Sequence, residues 1–108
     1  MIFMYEELKG YVLDDYKIFE RREFDDNEMI CAILDEYQFG EGFCTVEKIC
    51  IYLFLALIFK ENNRNYLKIV ELIQQELLSI SEAEIRQELK MEYELYEKDM
   101  NEITKCNM

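Results

Sequence analysis

The feature that most constrains this chain is an unbroken apolar run from Ile49 to Phe59, near its middle. A helix that is apolar on every side has no face to offer to water, so it has to be buried on every side. As a helix the run covers only about 16 Å, at roughly 1.5 Å per residue, and falls well short of a bilayer core. It reads as a central helix wrapped by others, not as a membrane span. Thr45 stands where a cap is needed, Glu47 lies in the first turn and Lys60 in the last, which sets this helix at residues 46–60.

The rest of the chain supplies the wrapping. There is no proline, and the three glycines stand at 10, 40 and 42, so breaks are few. Apolar residues recur every three or four positions, and no convincing stretch alternates as a strand would. A first helix is expected over about residues 3–22, with Tyr5, Leu8, Val12, Tyr16 and Phe19 on one face. Gly10 weakens it by about 1 kcal/mol relative to alanine, which suggests a bend or a close packing there. Asp25, Asp26 and Asn27 offer caps for a second helix over about 27–38, with Met29, Ile30, Ile33, Leu34 and Tyr37 inward. The glycines at 40 and 42 end it. Asn62 to Asn65 reads as a polar turn before a fourth helix at about 66–79, buried through Tyr66, Ile69, Val70, Ile73 and Leu77. Ser81 and Glu84 form a capping-box pair that opens one long fifth helix. Its stripe is Ile85, Leu89, Tyr96, Met100 and Ile103, and the tail from Lys105 to Met108 is expected to fray. The fold class is all-α: a single domain over residues 1–108, a bundle of about five helices around the buried central one. With 108 residues, 51% of them hydrophobic, the chain can build a core without disulfides or a structural metal.

Charge narrows the function classes. Twenty-four acids against twelve bases give a net charge of −12. Such a field repels nucleic acid and anionic membranes, and it attracts basic partners and speeds encounter with them. The acids are unevenly spread: residues 1–40 carry eleven against four bases, net −7, whereas residues 41–80 carry five against four, net −1. Residues 81–108 carry eight against four, net −4.

The equipment for catalysis is sparse. There is no histidine, the commonest general base and metal ligand. Cysteines stand at 31, 44, 50 and 106 with no Cys-x-x-Cys pair, and without any histidine the mixed Cys/His zinc sites are excluded. Cys31 and Cys50 lie among apolar residues and read as small buried hydrophobes, free thiols in a reducing compartment. Met1 to Tyr5 runs straight into Glu6 and Glu7 and resembles no signal peptide, so a cytoplasmic location is expected. No phosphate-binding glycine loop occurs, and Ser79, Ser81, Cys44 and Cys50 lack an activating base. The pairs Glu20-x-x-Glu23 and Glu94-x-x-Glu97 have the spacing for a magnesium site. Helices this rich in glutamate produce such pairs by chance, and no basic cluster stands ready for phosphates. Neither a catalytic residue, a cofactor nor a metal is expected, and the chain reads as a binding protein rather than an enzyme.

The candidate partner-binding surface lies on the first two helices. Asp14, Asp15, Asp25, Asp26, Glu28, Asp35, Glu36 and Glu41 have few basic neighbours beyond Lys17, Arg21 and Arg22. Like charges gathered on a small surface lower stability unless a partner offsets them. Tyr37 and Phe39 sit among them, with Tyr11 and Phe43 nearby, and aromatics in an acidic field suit the anchoring of a basic protein. The competing view is that the aromatics are core and the acids simply solvated.

The small size, the acidic helix-turn-helix from Asp25 to Gly42, and the segment Thr45-Val46-Glu47-Lys48-Ile49-Cys50-Ile51-Tyr52 opening the buried helix together carry a resemblance. The middle half of the chain resembles the small, acidic, helical immunity proteins of bacterial polymorphic-toxin and contact-dependent growth-inhibition systems. The resemblance implies a cognate toxin domain with a basic surface, often a nuclease, encoded beside this protein and neutralised by tight one-to-one binding. It transfers no particular functional residue, and the acidic positions above are chosen on charge alone. Two alternatives stand beside this antitoxin reading. One is a helical adaptor that homo-oligomerises through an apolar stripe with Leu95 and Leu72. The other is an acidic nucleic-acid mimic directed at a host enzyme.

Overall fold

In a computed structural model the apolar run is a helix hidden by three others. The structure describes residues 5–39, 43–61 and 63–106; within these it describes all side chains except those of residue 26, residues 36–39, residue 63 and residues 104–106. Among the described residues six α-helices follow one another: α1 (Tyr5–Arg21), α2 (Asp26–Phe39), α3 (Thr45–Ile58), α4 (Asn63–Leu77), α5 (Glu82–Leu89) and α6 (Tyr93–Cys106). A short 3-10 turn, Lys90–Glu92, joins the last two. The described residues contain no strand.

Residues 49–56 of α3 are buried without exception, as an all-apolar helix requires. α3 packs most heavily on α4 and α1, and then on α6. The core around it takes Tyr5, Leu8 and Val12 from α1, Met29, Ile30 and Ile33 from α2, and Tyr66, Ile69, Val70 and Ile73 from α4. Tyr16, Phe19, Leu34, Leu77 and Met100 are half-buried against it. No helix among the described residues is long and apolar enough to cross a membrane. The shortest dimension, 21 Å, leaves depth for little more than two packed helices.

Helix ends follow local chemistry. Asp25 caps α2: its carboxylate accepts from the Glu28 N–H at 2.8 Å, and Glu28 accepts in return from the Asp25 N–H at 3.4 Å. Ser81 caps α5 as its sequence predicts, accepting from the Glu84 N–H at 3.2 Å. The cap of α3 is Cys44 rather than Thr45, one residue earlier than expected. Buried Glu47 makes the difference, because its carboxylate accepts from the Cys44 N–H at 3.1 Å and fixes the register of the first turn. α1 ends in a Schellman motif: the Glu23 N–H reaches the Glu20 carbonyl at 3.1 Å and the Phe24 N–H reaches the Phe19 carbonyl at 3.4 Å. Glu23 occupies the left-handed position usually given to glycine, with φ 60°, while the Phe19 and Phe24 rings stack at 5.4 Å.

Several expectations are corrected. The fifth helix is not continuous but breaks at Lys90, whose φ of 45° and ψ of −113° belong to no helix. α4 starts at Asn63, so Asn63 to Asn65 form a first helical turn, where short polar residues suit the orphan N–H groups. α6 runs on through Cys106 instead of fraying at Lys105. Nothing lies within 4 Å of where a Cβ on Gly10 would stand, so close packing does not explain that glycine. Cys31 is exposed on α2, whereas Cys50 is the buried hydrophobe the sequence suggests.

Candidate functional site

The break at Lys90 turns what would be one helix into an elbow, and the elbow encloses a groove. In a straight helix, residues 82 and 93 would lie about 16 Å apart. Here the Tyr93 hydroxyl donates to Glu82 Oε1 at 3.0 Å. The same carboxylate oxygen accepts from Arg86 at 3.2 Å, and the Arg86 guanidinium lies over the Tyr93 ring, 4.0 Å from its centroid. Glu82, Arg86 and Tyr93 thus close a triangle that ties α5 to α6, each side of it a charge-assisted bond or a cation–π contact.

Two adjoining hollows, of about 870 and 500 Å³, run along this elbow and share Arg86, Tyr93, Glu97 and Asn101. The floor of the smaller is apolar: Leu77 and Ile80 from the end of α4 and its linker, Ile85 from α5, and Tyr93, Tyr96 and Met100 from α6. The wall of the larger is charged, with Glu94, Glu97, Lys98 and Glu102. Glu102 pairs with Lys60 of the α3–α4 connection at 3.0 Å. Glu94 and Glu97 make no ion pair among the described residues, and both are exposed. The groove therefore combines an aromatic and aliphatic floor with two carboxylates, one helical turn apart, at its lip.

A second polar group lies deeper and has a structural character. Buried Asp99 of α6 accepts from the hydroxyl of buried Tyr5, and Lys9 approaches the same carboxylate oxygen at 3.4 Å. Glu92 accepts from the Tyr5 backbone N–H. Burial first, and the bond to Asp99 second, push the Tyr5 phenol far above its usual range, so it stays neutral. This group fastens the start of α1 to the elbow. Burial likewise pushes the Cys50 thiol well above the thiol range, and burial also raises Cys44 despite its place at a helix start, so neither is an activated nucleophile. Among the described residues no group of three or more His, Cys, Asp or Glu side chains is placed to hold a metal.

The described acidic positions singled out on charge alone lie elsewhere. Asp14 is exposed and Asp15 half-buried on α1, and Asp35 is exposed on α2. Asp25 and Glu28 are exposed but engaged in the α2 cap. Asp26, Glu36, Tyr37 and Phe39 belong to α2, but their side chains lie outside the described ones, as does the whole of Glu41. Of the described ones, Asp14, Asp15, Asp25, Glu28 and Asp35, none lines the elbow groove. Tyr11 is exposed and donates to Glu7 at 3.3 Å, while Phe43 is half-buried against the core. The groove residues Glu82, Tyr93, Glu94 and Glu97 escape sequence reasoning because their grouping depends on the bend. The available signal is the spacing Tyr93, Tyr96, Met100 beside Glu94 and Glu97. No protein-family model matches the chain, and no curated protein or solved structure is significantly similar to it.

Proposed function

We propose that this protein binds and neutralises a basic protein domain, as the immunity proteins it resembles neutralise a cognate toxin, often a nuclease. The observation that carries the reading is the elbow groove, in which free carboxylates rim an aromatic floor. Charge alone supplies steering but little affinity, whereas a desolvated aromatic platform beside carboxylates supplies anchoring as well. The net charge of −12 and the acids of α1 and α2 add long-range attraction for a positive surface. A cleft evolved to grip phosphates is such a surface, and covering it with carboxylates blocks it by charge and by bulk.

Co-expression with the product of the adjacent gene tests this directly. The expected result is a one-to-one complex that is tight at low salt and weakened at about 0.5 M salt, where screening is strong. A second reading is favoured by Leu78 and Met91, which stand 89% and 95% exposed. It is the homo-oligomerising adaptor, with these two side chains rather than half-buried Leu72 at the contact. A salt-insensitive oligomer of this chain, with no basic partner bound, would overturn the first reading and establish the second.

A further inference from the structure

Resting on that binding function, but on no particular toxin, we propose that the elbow groove docks a basic amphipathic helix of the partner. An arginine of that helix takes over the Tyr93 face from Arg86. The groove already displays the recognition it would perform. Arg86 lies flat on Tyr93 at 4.0 Å and bonds Glu82 at 3.2 Å, so a guanidinium on this ring beside this carboxylate is a compatible arrangement. Arg86 can be displaced without opening the elbow: its side chain is 58% exposed, its i,i+4 surface pair with Glu82 is a weak class of interaction, and the Tyr93–Glu82 bond ties α5 to α6 without it. Its departure would bare an aromatic face whose hydroxyl stays fixed by Glu82.

The lip supplies the second point of contact. Glu94 and Glu97 are exposed carboxylates with no ion pair among the described residues, adjacent on α6 to the floor residues Tyr93 and Tyr96. Each can accept two parallel N–H bonds from a guanidinium, the geometry in which such pairs are strongest. The floor then takes the aliphatic stems and the apolar residues of the incoming helix, as in other helix-in-groove complexes. The α6 wall from Tyr93 to Glu102 is about 15 Å long, enough for roughly three turns of a docked helix. Charge complementarity selects a basic occupant over a second copy of this acidic chain, because two such copies repel at this lip.

The test is an NMR titration of the full chain with a helical peptide of about three turns, bearing arginines at i, i+4 and leucines at i+3, i+7. A counterpart with glutamate in place of arginine serves as the control. Shifts centred on residues 82–101, seen only with the arginine peptide, are expected. Joint Glu94→Gln and Glu97→Gln substitution should weaken binding about tenfold, with the thermal melt unchanged because both side chains are exposed. Arg86→Gln and Lys98→Gln each remove one positive charge from the groove, but only the first frees the ring. Arg86→Gln should therefore tighten binding about threefold more than Lys98→Gln does. Shifts centred on α1 and α2 would overturn the groove proposal while leaving an acidic binding protein in place. Equal effects of Arg86→Gln and Lys98→Gln would overturn the exchange at Tyr93. Failure of a basic partner to co-purify, with the peptide still seated in the groove, would instead remove the toxin-neutralising reading and keep the groove.

Discussion

The central helix α3 and the elbow made by α5 and α6 draw on the same residue types, tyrosine and aliphatics with scattered glutamate, and put them to different uses. In α3 the apolar run is continuous, residues 49–56 are buried on every side, and Glu47 is buried where it closes the helix cap. In α5 and α6 the apolar residues form a stripe. Its centre, Ile85, Leu89, Tyr93, Tyr96 and Ile103, is buried, and its flanks Glu94 and Glu97 stay in water. A fully apolar segment specifies the fold and leaves nothing for recognition. A striped segment, bent, leaves aromatic rings and free carboxylates side by side at its edge.

The largest expected effect separates the two regions outright. Phe54 is fully buried in α3, and Phe54→Ala should cost about 3–5 kcal/mol in a denaturant melt, enough to threaten folding. Glu94→Gln and Glu97→Gln in the elbow should change stability by no more than about 0.5 kcal/mol. Equal losses would erase the distinction between core and recognition surface.

The next effect is set by pH. Tyr5, Tyr96 and Cys50 meet where α1, α3 and α6 converge, and burial raises all three above their usual values. For a raised group, stability is fully present below its unfolded pKa and is lost as pH rises from there towards the folded value. The unfolded thiol titrates near 8.5 and the unfolded phenols near 10. Thermal melts should therefore hold steady to about pH 8 and then fall, by roughly 1.4 kcal/mol per pH unit for each group engaged. A melt unchanged between about pH 8 and 11 would show that these hydroxyls and this thiol reach water.

A smaller effect probes how the elbow is fastened to the core. Tyr5→Phe removes the hydroxyl that Asp99 accepts from and leaves that buried carboxylate with Lys9, so it should cost about 1–2 kcal/mol. The smallest effects concern Glu23 and Lys90, two non-glycine residues with positive φ. Lys90→Gly should stabilise by about 1 kcal/mol, since φ 45° with ψ −113° is open to glycine and costly for lysine. Glu23→Gly should gain somewhat less, because the left-handed conformation at φ 60° is milder. Chemical denaturation of both variants measures the pair, and a loss at Lys90 would mean that its side chain supports the elbow.

Much of this architecture is legible in the residues because local and global signals agree. The run from Ile49 to Phe59 dictates a central helix, and Asp25 with Glu28 and Ser81 with Glu84 announce helix starts that the backbone then uses. The break at Lys90 is not legible. It carries no glycine or proline, and the stripe from Ile85 to Ile103 continues across it as though the helix did. Tertiary contacts override that local preference: Glu92 captures the start of α1, and Tyr93 reaches back to Glu82. The groove inherits this opacity, since it exists only once α5 is folded against α6. Charge counting singles out α1 and α2 because it registers how many acids a segment holds, and it carries no information on which acids border an aromatic floor.

The central claim is that recognition belongs to the elbow. Hydrogen exchange on the free chain and on its complex with the basic partner proposed above tests that claim most directly. The account predicts added protection across residues 82–104, with residues 5–39 nearly unchanged. Protection confined to α1 and α2 would contradict it and return the binding surface to the acids of the first two helices.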